Sequence, residues 1–191
     1  MRIVAGDFRG RVLKAPPSDI TRPTTDRVRE ALMSSLYSQL GDFEGQNVLD
    51  AFAGSGALGI ECLSRGADRV VFYEKNQKVQ RVLQANLNAF PEVRRRINLR
   101  KGDILKNPPT FGEPFTLVFL DPPYATEPEV IADFLNKLLK ANMLAEDALV
   151  YYEHAKSLNL DSCEAFAQLQ LTPVVSKTYG DIAFDILRKD L

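Results

Sequence analysis

From Asn47 onward the chain alternates short apolar, β-branched runs with helical patterns, and such alternation leads to a mainly parallel sheet with helices on both faces. Strands are expected at 48–52, 69–73, 97–101, 116–120 and 148–152, with helices near 57–65, 77–89 and 127–140. The rhythm breaks at the end, where runs 169–177 and 182–187 flank only Thr178-Tyr179-Gly180-Asp181, a hairpin-length turn. The expected fold class is therefore α/β, a mainly parallel sheet closed by an antiparallel C-terminal hairpin. Ahead of it, a Gly-rich interruption at Gly6-Asp7-Phe8-Arg9-Gly10 predicts a small β-hairpin over 2–14. Val28, Ala31, Leu32 and Leu36 then predict a helix, with Thr24 or Thr25 as its N-cap. We expect residues 1–44 to form an N-terminal extension and 45–191 one catalytic domain, since 191 residues with 45% hydrophobic content suit a single substantial core.

The strand ends carry the chemistry. After the first strand comes Asp50-Ala51-Phe52-Ala53-Gly54-Ser55-Gly56-Ala57-Leu58-Gly59, a G-x-G-x-x-G turn opening a helix, where glycine lets a ligand approach the backbone. Nicotinamide, flavin and S-adenosylmethionine enzymes all use such turns. Asp50 discriminates among them: a carboxylate at the end of the first strand suits a cationic ligand, and S-adenosylmethionine carries an ammonium and a sulfonium where dinucleotides carry pyrophosphate. The second strand ends at Glu74-Lys75, placing an acid where it can accept from both ribose hydroxyls, which fits either cofactor. Asp103-Ile104 follows the third strand, where Asp103 can accept from an adenine amino group. The candidate cofactor residues are thus Asp50, Ala51, Phe52, Gly54, Gly56, Glu74, Lys75, Asp103 and Ile104.

The fourth strand runs into Asp121-Pro122-Pro123-Tyr124. Two prolines cannot continue a central strand, so the chain turns out at the carboxyl edge, where open α/β sheets bind ligands. The exocyclic amino nitrogen of a base is a poor nucleophile because its lone pair is delocalised into the ring. Hydrogen bonds from it to the Asp121 carboxylate and the Pro122 carbonyl favour a pyramidal nitrogen, and Tyr124 offers a ring on which to stack the base. Catalysis of this kind is positioning and electrostatics.

The net charge of −1 hides an uneven distribution. Residues 1–31 carry seven basic side chains (Arg2, Arg9, Arg11, Lys14, Arg22, Arg27, Arg29) against four acidic ones (Asp7, Asp19, Asp26, Glu30). A second cluster, Arg94, Arg95, Arg96, Arg100 and Lys101, reads by itself as a solvated face. Cys62 and Cys163 are far apart and read as buried free thiols, so neither a disulfide framework nor a metal site is expected. No apolar run approaches a membrane span, and charges stand where a signal peptide needs an apolar block, so a cytoplasmic protein is expected. The single histidine, His154, reads as structural.

With D-P-P-Y after the fourth strand and D-x-F-x-G-S-G after the first, the sequence resembles the amino-methyltransferase branch of class I methyltransferases. The blocks Gly6-Asp7-Phe8-Arg9-Gly10-Arg11 and Arg22-Pro23-Thr24-Thr25-Asp26-Arg27-Val28-Arg29-Glu30 narrow this to the bacterial 16S ribosomal RNA guanine-N2 methyltransferases of the RsmD family, and the resemblance spans nearly the whole chain, Lys177 and Gly180 included. It implies a Rossmann-like class I methyltransferase sheet, S-adenosylmethionine as donor, and N2-methylguanine in 16S rRNA as product. It further implies a substrate presented within a partly assembled small subunit; the residues leave the oligomeric state open, and a monomer is the expectation. By position, Asp121 to Tyr124 would hold the base, and Arg9, Arg11, Arg22, Arg27, Arg29 and Lys177 would meet RNA. The residues alone do not set the base. A DNA or RNA amino-methyltransferase acting on adenine N6 or cytosine N4 shares the core motif; an NAD-dependent oxidoreductase leaves D-P-P-Y without a role, and a non-catalytic RNA-binding module leaves the acids without one.

Overall fold

Periodicity and turn chemistry account for most of the elements in the structure, a computed structural model describing residues 1–16 and 26–190. In chain order these are α1 (Asp26–Leu40), β1 (Asn47–Asp50), α2 (Ala57–Ser64), β2 (Arg69–Glu74), α3 (Gln77–Asn88), a 3-10 turn (Pro91–Arg96) and β3 (Ile97–Lys101). There follow β4 (Phe115–Leu120), α4 (Pro128–Lys140), β5 (Leu144–Ala155), a short 3-10 turn (Leu160–Ser162), α5 (Glu164–Ala167), β6 (Leu171–Tyr179) and β7 (Ile182–Lys189). The seven strands make a mixed sheet, so the expected α/β class holds. The chain groups into two compact units, Met1–Asp103 and Ile104–Leu191.

In the first unit β1 pairs with β2, and β2 with β3, both in parallel. Helix α3 shows why these residues form a helix here: the Asn76 side chain caps it, accepting from the Lys78 and Val79 N–H groups at 2.9 and 3.4 Å. Its apolar stripe then buries Val79, Leu83 and Leu87. The expected N-terminal hairpin is a narrow loop closed by one bridge, Arg2 to Val12, with Ile3, Phe8 and Leu13 buried. What holds it is α2. The buried Glu61 carboxylate accepts from the Val4 and Ala5 N–H groups at 2.9 and 3.0 Å, and the Ser64 hydroxyl accepts from Phe8 N–H at 2.9 Å. Gly6 lies so near that helix end that a Cβ would stand 1.9 Å from the Ser64 carbonyl oxygen. The stretch is thus integrated into the first unit by backbone groups that α2 side chains satisfy.

In the second unit β4 and β5 are parallel, while β7 pairs antiparallel with both β5 and β6. Phe119, Tyr151 and Phe184 pack their rings in its core, with centroids 5.9 and 5.2 Å apart. The final turn places Gly180 at φ 62, as the first central residue of a primed two-residue turn requires. Helix α4 starts at Pro128 and buries Ile131, Phe134, Leu135 and Leu138.

Candidate active site

In the first unit, β1 delivers Asp50 into a buried position, where its Oδ2 accepts from the Gly59 N–H of α2 at 3.1 Å. Burial pushes the Asp50 pKa up to about 7; the Gly59 N–H opposes the rise and the Glu74 charge adds to it. A carboxylate so short of positive charge favours a cation beside it. The glycines divide their work. Gly54 and Gly56 hold the left-handed turn at φ 54 and 82, and a Cβ on Gly54 would meet only the Phe52 carbonyl, at 4.0 Å. Gly59 serves packing instead, since a Cβ there would lie 2.3 Å from the Phe72 ring. Ala51 is buried and Phe52 half-buried.

Glu74 ends β2 half-buried, its two oxygens accepting from the Gly54 N–H at 3.0 Å and the Asn76 N–H at 2.7 Å. It thereby ties the glycine turn to the start of α3. Each carboxylate oxygen keeps a further lone pair for a hydroxyl donor. Lys75 is exposed, and Asp103 is half-buried just after Gly102, whose N–H donates to the Glu74 carbonyl at 3.0 Å. Ile104 is buried. This donor set fits S-adenosylmethionine: a buried acid for a cation, an acid for vicinal hydroxyls, a third acid for an amino group, and open space against the Gly54 backbone.

In the second unit, β4 ends at half-buried Asp121, and the prolines turn the chain, with Thr126 N–H closing onto the Pro123 carbonyl at 2.8 Å. Tyr124 is 57% exposed, an open aromatic face. Pro122, Pro123 and Tyr124 line a cleft of about 310 Å³ together with Tyr152, Glu153 and His154 from the end of β5. That volume lies in the range of small-molecule sites. The Tyr151 hydroxyl donates to Glu153 at 2.8 Å; burial, then the charges of Glu153 and Asp121, raise its pKa well above the usual value. His154 Nε2 faces Asp185 Oδ2 at 2.7 Å and Nδ1 faces the Ala155 carbonyl at 3.0 Å. Two acceptors facing two ring nitrogens favour the imidazolium, which outweighs burial and raises the His154 pKa. Sequence reasoning left His154 without a partner or a place at the cleft, because Asp185 lies 31 residues away on a strand whose register no local signal sets.

Of the residues expected to meet RNA, Arg9, Arg27 and Lys177 are exposed. Arg11 donates to Glu92 at 2.6 Å and lies over the Phe8 and Phe90 rings, with 42% of its side chain exposed. Arg29 needs correction: at 1% exposure, with Nη2 donating to the Arg2 carbonyl at 2.6 Å, it is a structural guanidinium out of reach of a phosphate. Arg22, with Thr24 and Thr25, lies outside the described residues.

A strand-end acid set around a glycine turn, and a separate D-P-P-Y corner after β4, define the class as a Rossmann-like methyltransferase. The model of the family described as conserved hypothetical protein 95 matches residues 1–188, and the chain belongs to that family. It is 34% identical over 193 residues to a putative rRNA methyltransferase of Bacillus subtilis, covering 99% of each chain. It is 37% identical over 187 residues to the ribosomal RNA small subunit methyltransferase D of Haemophilus influenzae, covering 96% of this chain and 91% of the relative. Among solved structures, a putative methyltransferase from Escherichia coli superposes with a TM-score of 0.81 at 30% identity, covering 100% of this chain and 98% of that one.

Proposed function

We propose that the chain transfers a methyl group from S-adenosylmethionine to the exocyclic N2 amino group of a guanine in 16S rRNA, acting as a cytoplasmic monomer on a partly assembled small subunit. The observation that carries this reading is the pairing of chemistries: a buried, cation-seeking Asp50 beside a glycine turn in one unit, and D-P-P-Y with an open aromatic ring in the other. The names of the relatives support the rRNA substrate and its subunit. Guanine N2 comes from the resemblance of the sequence to the RsmD family.

When bound, the cofactor supplies a methyl group on a positively charged sulfur. Asp50 answers the ligand's cationic end, Glu74 accepts from the ribose hydroxyls, and Asp103 accepts from the adenine amino group, with Ala51, Phe52, Gly54, Gly56, Lys75 and Ile104 as their neighbours. In the second unit, Tyr124 stacks the base while Asp121 and the Pro122 carbonyl accept from its amino N–H groups, leaving the nitrogen lone pair free to attack. No covalent enzyme intermediate is required. A base in a helix must leave its stack to meet such a corner, whereas a loop nucleotide is already exposed. Arg9, Arg27 and Lys177 meet phosphates, and residues 1–44 serve as an RNA-facing extension of the catalytic part in which Arg11 clips the hairpin in place.

The test is single-turnover methyl transfer by Asp121→Ala with saturating substrate. The variant should bind S-adenosylmethionine as the wild type does and lose about 100-fold or more in rate, the scale of one lost transition-state acceptor. A near-normal rate would remove Asp121 from the chemistry.

A further inference from the structure

We propose that the cations of the Pro91–Arg96 turn and β3 form a second RNA-backbone surface, a track of Arg94, Arg95, Arg96, Arg100 and Lys101 continuous with the N-terminal hairpin. The proposal rests on the RNA-methylating reading above and names the path by which that RNA is held.

Between Pro91 and Gly102 the sequence holds these five cations and a single acid, Glu92. The structure leaves all five exposed, and it takes Glu92 out of the local balance by pairing it with Arg11 at 2.6 Å. A solvated face ordinarily mixes both signs, and like charges this close repel one another, a cost that a polyanion relieves. Strand β3 pairs with β2 at the edge of the first unit's sheet, where cations deter edge-to-edge association. That role accounts for Arg100 and Lys101 but not for Arg94, Arg95 and Arg96, which precede the strand.

Two further contacts give the track direction. Besides the Arg11–Glu92 pair, the Phe8 and Phe90 rings meet with centroids 4.9 Å apart, so the hairpin bearing Arg9 is fastened beside the turn bearing Arg94 to Arg96. At the other end Arg100 is in register with Tyr73 and Lys101 with Glu74, so the cations run toward the strand end that carries the cofactor acid. From Ile97 to Lys101 the strand covers about 13 Å at its usual rise. A row of point charges along an edge, without exposed aromatic side chains among them, suits phosphate contacts that give affinity and register but no base identity.

The experiment compares Arg94→Gln/Arg95→Gln/Arg96→Gln and Arg100→Gln/Lys101→Gln with wild type and with Lys137→Gln/Lys140→Gln, a control that removes cations from α4. Each is titrated with a transcribed 16S rRNA fragment across a salt series, alongside S-adenosylmethionine affinity and thermal melting. Each lost phosphate contact lowers the log–log salt slope by about 0.7–0.9, so the triple variant should fall by roughly 2 to 3. The double variant should fall by about 1 to 2, with the α4 control, cofactor affinity and melting unchanged. Slopes equal to wild type in both track variants would overturn the proposal, as would an equal fall in the control, which would reduce the effect to net charge. So would unchanged RNA slopes with lost binding of polyglutamate, which would assign the patch to an acidic protein. A wild type that shows no RNA affinity while methylating another acceptor would bring down the functional reading itself.

Discussion

A buried acid that binds a cation should make cofactor affinity depend on pH in a calculable way. Asp50 has its pKa raised to about 7 chiefly by burial, so below that pH the free protein holds it neutral. If the cationic ligand selects the carboxylate, affinity rises with pH and levels off above about 7. On the acid side it falls about tenfold per pH unit, giving roughly 10-fold weaker binding at pH 6 and 100-fold at pH 5 than on the plateau. Binding near pH 7 should then release about half a proton. The sign for stability runs the other way: ionising a carboxyl whose folded pKa is raised costs the fold. The free protein therefore loses this contribution as pH climbs from the ordinary carboxylate range through about 7, and the bound cation restores it. Calorimetric titration with S-adenosylmethionine at several pH values, in buffers of different ionisation heat, reads both affinity and proton release. Asp50→Asn separates the protein's titration from the ligand's: it should bind weakly, with no proton release assignable to the protein. Wild-type affinity that tracks the variant at every pH would refute the assignment of Asp50 to the cation.

Glu74→Ala removes the acceptor proposed for the ribose and should weaken S-adenosylmethionine binding about 10- to 150-fold, the worth of one charge-assisted hydrogen bond; unchanged affinity by calorimetry would end that role. Gly59→Ala drives a Cβ to 2.3 Å from the Phe72 ring and should cost about 1–3 kcal/mol in chemical denaturation, with a neutral result contradicting the packing role. The raised His154 pKa stabilises the fold fully below the ordinary histidine value and fades as pH rises through the folded value. The stability gap between wild type and His154→Gln should therefore narrow on going alkaline, and a gap independent of pH would contradict the Asp185 ion pair.

The parallel strands and helices α2 to α4 were legible because their apolar periodicity and caps are local. Strand β5 begins at Leu144, earlier than the expected 148; Asp147, at φ 57, lies within the strand near a shift in its register with β4. Strand β6 starts at Leu171, later than expected; it runs across Pro173, which interrupts the ladder and shifts its register with β7. The strand-end acids were legible because a turn motif fixes where they fall. Long-range partners were not: the Arg2 carbonyl claims Arg29, Glu92 claims Arg11 across 81 residues, and Glu61 satisfies the hairpin backbone from 56 and 57 residues away. These contacts turn two arginines read as phosphate ligands into a buried strut and a clip, so charge reversal at Arg11 would confound binding with folding.

The reaction is defined by its product, which nucleoside analysis reads directly. Labelled S-adenosylmethionine is incubated with the protein and either free 16S rRNA or small-subunit particles, the RNA is digested, and its nucleosides are resolved by mass spectrometry. Label is expected in N2-methylguanosine at one site, with more transfer to particles than to free RNA. Label in N6-methyladenosine or N4-methylcytidine, or none in RNA while the cofactor binds normally, would contradict it.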